Sequence, residues 1–153
     1  MSEIIDIELV EYEEKYAEAA VRMWRDSKKR ALGVAELHSF GEHLDFLKRI
    51  LARDTRIHLA LLRESKQVVG LIATGHDHIN QLYVHVEFQR MGIGSRLLAL
   101  AKEKSAGKLR LYTFEVNRGA RAFYEKHGFT VIARGNENEE GLPDILYEWS
   151  RSR

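Results

Sequence analysis

Gln89-Arg90-Met91-Gly92-Ile93-Gly94-Ser95 is the stretch of this sequence with the clearest chemical capacity. A β-prone run, Ile79 to Val86, precedes it, and Ile93, Leu97, Leu100 and Ala101 follow at helical spacing. A glycine loop between strand and helix leaves backbone N–H groups without intrahelical acceptors, and the helix dipole adds positive character there. Such a terminus binds phosphate. Two common nucleotide motifs do not fit. Leu97 stands where the dinucleotide fingerprint needs its third glycine, and the loop comes after several strands instead of opening the fold. Gly70 to Gly75 has the glycine spacing of a P-loop, but His76-Asp77 occupies the place of its Lys-Ser/Thr pair.

Acid–base groups gather before this loop: His76, His78, His85 and Glu87. Histidine titrates near neutrality and can move a proton there. With a period of two, Gln81, Tyr83 and His85 share one strand face and Leu82, Val84 and Val86 the other, so His85 is equally readable as a surface residue. His76-x-His78 offers two metal ligands with no third nearby, and no metal site is expected. The chain has no cysteine, which excludes disulfides, thiolate metal sites and a cysteine nucleophile.

The elements that must position these groups are legible from periodicity. Ile5, Ile7 and Leu9 alternate as a first strand. Tyr16, Ala20, Met23, Trp24 and Ala31 then recur at helical steps, and after a break near Gly33 so do Phe40, Leu44, Leu47 and Leu51, with Ser39 as N-cap. Arg56 to Glu64 and Gln67 to Gly75 form a hairpin through Ser65-Lys66. After the glycine loop and its helix, Leu109 to Phe114 is a strand and Asn117 to His127 a helix capped by Asn117. Strands Phe129 to Ala133 and Ile145 to Trp149 end the chain. The order β-α-α-β-β-β-α-β-α-β-β mixes hairpins with a crossover. It predicts an α/β chain of mixed α+β character, a mixed sheet with helices on both faces.

A length of 153 residues with one proline and no linker fits a single domain, residues 1–153. Twenty-four Lys and Arg against 23 Asp and Glu leave a net charge of +1, which argues against nucleic acid or a membrane surface as principal partner. The N-terminus has no signal-peptide pattern and no apolar run is long enough to span a bilayer, so the expected location is the cytoplasm.

A second block lies at a fixed distance from the glycine loop. Asn117-Arg118-Gly119-Ala120-Arg121-Ala122-Phe123-Tyr124-Glu125-Lys126-His127-Gly128-Phe129 resembles the N-x-x-A-x-x-F-Y-x-x-x-G-F segment of the GNAT (GCN5-related) N-acetyltransferase superfamily. Gln89, Gly92 and Gly94 match that family's [Q/R]-x-x-G-x-[G/A] pyrophosphate loop, directly after the strand Leu82-Tyr83-Val84. The residue-specific likeness runs from Leu82 to Phe129, and the element order fits the GNAT fold of six to seven strands. Val86 departs from it, standing where many members carry proline.

The resemblance implies transfer of an acetyl group from acetyl-CoA, as co-substrate and without a metal, to a primary amine. It places the pyrophosphate on the amides of Arg90, Met91, Gly92, Ile93, Gly94 and Ser95, and pantetheine along Leu82 to Val86, with an N–H near Val84 facing the thioester carbonyl. It makes Tyr124 the general acid for the departing thiolate, and Asn117 a contact to pantetheine as well as a cap. The base is left among Glu87, His85, His78 and His76. Without cysteine, direct attack in a ternary complex is expected.

The family's acceptor pocket corresponds to about Trp24 to Phe40 and Asn136 to Asp144. The first segment is basic and the second acidic, which leads us to expect that the acidic loop attracts a cationic amine, with a peptide or protein amine as an alternative. A non-catalytic acyl-CoA sensor is a further alternative, against which Tyr124 argues. Family members are often dimers.

Overall fold

The computed structural model describes residues 5–151, and the expected element order is what it contains. The elements are β1 (Ile7–Glu11), α1 (Ala17–Leu32), α2 (Phe40–Phe46), α3 (Ala52–Asp54), β2 (Arg56–Leu62), β3 (Val68–Thr74), β4 (Ile79–Val84), α4 (Ile93–Lys104), β5 (Lys108–Phe114), α5 (Arg118–Lys126), β6 (Thr130–Gly135) and β7 (Asp144–Ser150). Ile5, assigned above to the first strand, precedes β1. Ser39 closes a reciprocal capping box with Glu42, and Gly33 ends α1 in a left-handed conformation. Leu47–Leu51, read from its spacing as ordinary helix, is a π-helical stretch that joins α2 to α3.

Seven strands form two sheets. β1-β2-β3-β4 is antiparallel throughout, as is β5-β7-β6. The two meet at one parallel rung, His78 against Arg110, where the Arg110 N–H donates to the Asp77 carbonyl at 2.9 Å. Beyond that rung β4 and β5 part, so the mixed sheet is split along its middle.

Helices cover both faces of the first sheet because its central strands are apolar on both faces. Trp24, Val21, Leu47 and Leu51 pack on Leu59, Leu61 and Leu71 from one side. On the other, Ile93, Leu97 and Leu98 of α4 pack on Ala60 and Ile72, and that core runs on through Leu109, Leu111, Ile145 and Tyr147 to Tyr124 and Phe129. Gly70 is the contact point of α4. A Cβ there would stand 2.9 Å from Leu97 Cδ1 and 3.0 Å from Ile93 Cγ2, so packing, not phosphate binding, accounts for this glycine.

Candidate active site

The split turns the edge of β4 into a functional surface. Val84 faces Gly70 across the β3–β4 ladder, and the next residue, His85, donates its N–H to Val69 at 2.9 Å. Antiparallel pairing alternates the direction of backbone groups, so the N–H and carbonyl of Val84 point away from β3, into the gap. The carbonyl accepts from Ser27 Oγ and from Gln89 Nε2, each at 3.0 Å. The N–H faces the space between the sheets.

α4 begins beside this edge. Gly92 caps it at φ 87°, a left-handed conformation that favours glycine, and no side chain bonds the helix terminus. Arg90 is also left-handed, at φ 66°. The first intrahelical acceptor is Gly92 itself, taken by Arg96, which leaves the amides of Ile93, Gly94 and Ser95 for an anion. Gly94 serves packing: a Cβ would lie 3.2 Å from Phe123 Cζ. Ser95 Oγ is hydrogen-bonded to His127 Nε2 at 3.1 Å, which pins the start of α4 to the end of α5. Met91 and Arg90 are exposed. The amides fit a diphosphate group, and the Arg90 guanidinium is placed to add charge at the same loop.

A cavity of about 510 Å³ lies between the sheets under α1 and α2. Leu82, Tyr83, Asn117 and Tyr124 line it. Asn117 does cap α5, its Oδ1 accepting the Ala120 N–H at 3.2 Å. Tyr124 is 7% exposed, set edge-on to Phe123 and Phe129. Burial, with Tyr83 nearby, holds its hydroxyl well above the ordinary phenol range, so it stays protonated and able to donate. Burial also raises Tyr83, against the opposing charge of Lys28.

The acceptor side of this cavity is built from residues far apart in sequence. Trp24 stacks on Tyr83 at 5.7 Å and meets His43 edge-on at 4.2 Å. Its indole N–H is buried and reaches no acceptor within hydrogen-bond geometry among the described residues, although Tyr83 lies beside it. Burial lowers His43 to about 4, so it is neutral at pH 7. Lys28 Nζ donates to Glu140 at 2.9 Å and lies 3.7 Å from Glu36. Burial is the largest single influence and works against the Lys28 charge, but the bond to Glu140, together with the charges of Tyr83, Glu140 and Glu36, outweighs it and holds the ammonium above its usual range. The carboxyl of Glu140 is held below its own range by the same pairing, again against burial. At the rim His38 pairs with Glu139 at 3.0 Å and is raised by it. The basic helix and the acidic loop therefore bind one another, and two carboxylates of the loop expected to recruit a cation, Glu139 and Glu140, already carry counter-ions.

None of the base candidates lines this cavity. His85 Nδ1 accepts the Glu87 N–H at 3.1 Å and caps the short 3-10 turn Val86–Phe88. Glu87 is exposed there. His78 sits at the closed end of the split, 3.4 Å from Asp77, and His76 borders a different surface cavity. The carboxylates and histidines that do line it are Glu36, His38, Glu42, His43, Glu139 and Glu140. His43 falls within the helical series Phe40 to Leu51, but nothing in the sequence singled it out or signalled its burial. No cluster of three metal-ligating side chains occurs among the described residues. Nor is any helix among them long and apolar enough to cross a membrane.

Residues 25–151 match the family model described as an acetyltransferase (GNAT) domain. The match spans both halves of the split sheet, and the chain belongs to this family of acetyltransferases, which take the acetyl group from acetyl-CoA. Solved structures share the fold. Apo-form YjaB from Escherichia coli is 22% identical, with a TM-score of 0.78 over 97% of this chain and 100% of that one. The PaiA N-acetyltransferase from Thermoplasma acidophilum, solved in complex with coenzyme A, is 22% identical with a TM-score of 0.72 over 95% and 99%. Ard1 from Thermoplasma volcanium is 21% identical with a TM-score of 0.73 over 97% and 100%. No curated protein sequence matches significantly.

Proposed function

We propose that this protein transfers the acetyl group of acetyl-CoA directly to the primary amine of a small molecule in the cytoplasm. The carrying observation is that Tyr124 lines the cavity between the sheets beside Leu82 and Tyr83 of β4, while the Val84 N–H on the same strand points away from β3. The Val84 N–H stabilises the negative charge that grows on the thioester oxygen as the amine attacks. Tyr124, kept protonated by its burial, gives its proton to the thiolate as the carbon–sulfur bond breaks. The diphosphate of the co-substrate rests on the amides of residues 90–95 and pantetheine runs past Leu82, Tyr83 and Val84 to Asn117. Gln89 acts through the Val84 carbonyl, which it holds in place. The amine passes its proton towards the carboxylates that line the cavity, Glu36 foremost, in preference to Glu87, His85 or His78.

A small acceptor is favoured over a protein because two ion pairs, Lys28–Glu140 and His38–Glu139, tie α1 and the segment after it to the β6–β7 loop across the cavity. Calorimetry with acetyl-CoA, followed by thiol release on matched panels of small amines and peptides, tests the reading. CoA release with small amines and none with peptides is expected. Tight acetyl-CoA binding with no release for any amine would favour a sensor instead.

A further inference from the structure

The charge arithmetic of the acceptor wall is unusual for a pocket that must admit an ammonium. Lys28, Glu36 and Glu140 line one cavity, with side-chain exposures of only 21%, 17% and 13%. Two carboxylates and one ammonium leave a single uncompensated negative charge. Glu140 is hydrogen-bonded to Lys28, whereas Glu36 at 3.7 Å is outside hydrogen-bond distance and keeps its acceptor capacity for a ligand. At the rim the pair His38–Glu139 is about half exposed, and Glu42, which also lines the cavity, is exposed and accepts the Ser39 N–H at 2.8 Å; water screens all three, so they add little to the count. The remaining wall is aromatic: Trp24, Tyr83, His43 and Phe46, with His43 uncharged at neutral pH.

We infer that Lys28 is a specificity-determining residue that restricts the acceptor to amines with one cationic centre and an apolar or aromatic body. The inference rests on the acetyltransferase reading of this cavity and names the substrate class it takes. One incoming ammonium balances Glu36. A second would lie beside Lys28 with no shielded carboxylate left to pair with, and a desolvated like-charge contact opposes binding. The aromatic wall takes the body of the acceptor and offers its ring faces to the single ammonium. Lys28 thus occupies the place that a diamine's distal ammonium would need.

Butylamine and 1,4-diaminobutane, equal in length and different by one ammonium, are the probes. Each is titrated calorimetrically into the protein saturated with CoA, so that binding is read without turnover. The wild type should bind butylamine at least about ten-fold more tightly than the diamine. Lys28→Met frees both carboxylates and should reverse the order by a similar factor, while Lys28→Arg should keep it. An unchanged ratio in Lys28→Met overturns the inference. Should that variant fail to fold, Glu36→Gln leaves Lys28 and Glu140 balanced and should weaken butylamine about ten-fold; undiminished binding would again overturn it. A reversal of affinity with no acetylation of either amine would leave the selectivity in place and remove the transfer reading alone.

Discussion

Ser27 Oγ and Gln89 Nε2 converge on one acceptor, the Val84 carbonyl, each at 3.0 Å. One donor comes from α1 and the other from the loop that leads to α4. Together they hold the end of β4 at the angle that turns the Val84 N–H into the gap. Each alone satisfies the oxygen, so Ser27→Ala or Gln89→Ala should cost only about 1 kcal/mol of stability. The double variant strips a half-buried carbonyl of both partners and should cost about 1–2 kcal/mol more than the sum. A double-mutant cycle by denaturant unfolding checks this, and simple additivity would mean that the two donors act independently.

Tyr124 has the burial of a core residue and yet lines the cavity between the sheets. Tyr124→Phe keeps the ring contacts with Phe123 and Phe129 and removes only the hydroxyl. Turnover should fall by about 100-fold or more, in the range of a lost general acid. Acetyl-CoA affinity should change less than about three-fold. The raised hydroxyl keeps its proton across the whole assay range, so an alkaline fall in wild-type turnover should belong to another group. A pH–rate profile together with calorimetry separates these effects.

Gly94 faces Phe123, and that contact couples the start of α4 to α5. Gly94→Ala should displace the ring and weaken acetyl-CoA binding by several-fold, while adding about 1 kcal/mol of strain. Phe123→Leu in the same chain makes room for the methyl group and should restore part of the affinity. Measured dissociation constants for the two variants decide the matter. No recovery in the double variant would place the effect in ligand contact instead of packing.

His43 gives the acid limb of stability a defined origin. Its folded value of about 4 lies below the ordinary 6.5, so between these values the unfolded chain binds a proton that the folded chain refuses. Stability should therefore fall as pH drops through this window, by about 2–3 kcal/mol at pH 4.5 relative to pH 7.5. Replacing His43 by Leu removes that dependence. Denaturant unfolding of both proteins at the two pH values should show a smaller acid loss in the variant, by that amount.

How far these features could be read beforehand depends on how local they are. Ser39, Asn117 and Gly92 act within a turn of their own position, and each does what residue type and spacing indicated. The hairpin at Ser65-Lys66 is local in the same sense. Gln89 was assigned to the diphosphate loop, yet its amide turns back on β4, a direction that motif matching does not carry. The bond between Lys28 and Glu140 spans 112 positions, and only the folded sheet brings them together. Read separately, they were a basic helix and an acidic loop; in contact, they cancel much of each other's charge. The four base candidates lay close in sequence to the glycine loop, whereas the cavity drew its carboxylates and histidines from the first helices, the segment between them and the last loop.

The single rung between His78 and Arg110 carries a consequence for what the gap can accept. A continuous sheet spends its backbone groups on itself, and here, apart from the Val84 carbonyl held by Ser27 and Gln89, the groups of β4 beyond the first rung have no partner on β5. They remain as a ruler whose divisions repeat every second residue. A flexible ligand with amide groups at a comparable interval can be graduated against it, and one without them slides. In the transfer proposed above, the interruption sets the depth at which the reactive end group comes to rest.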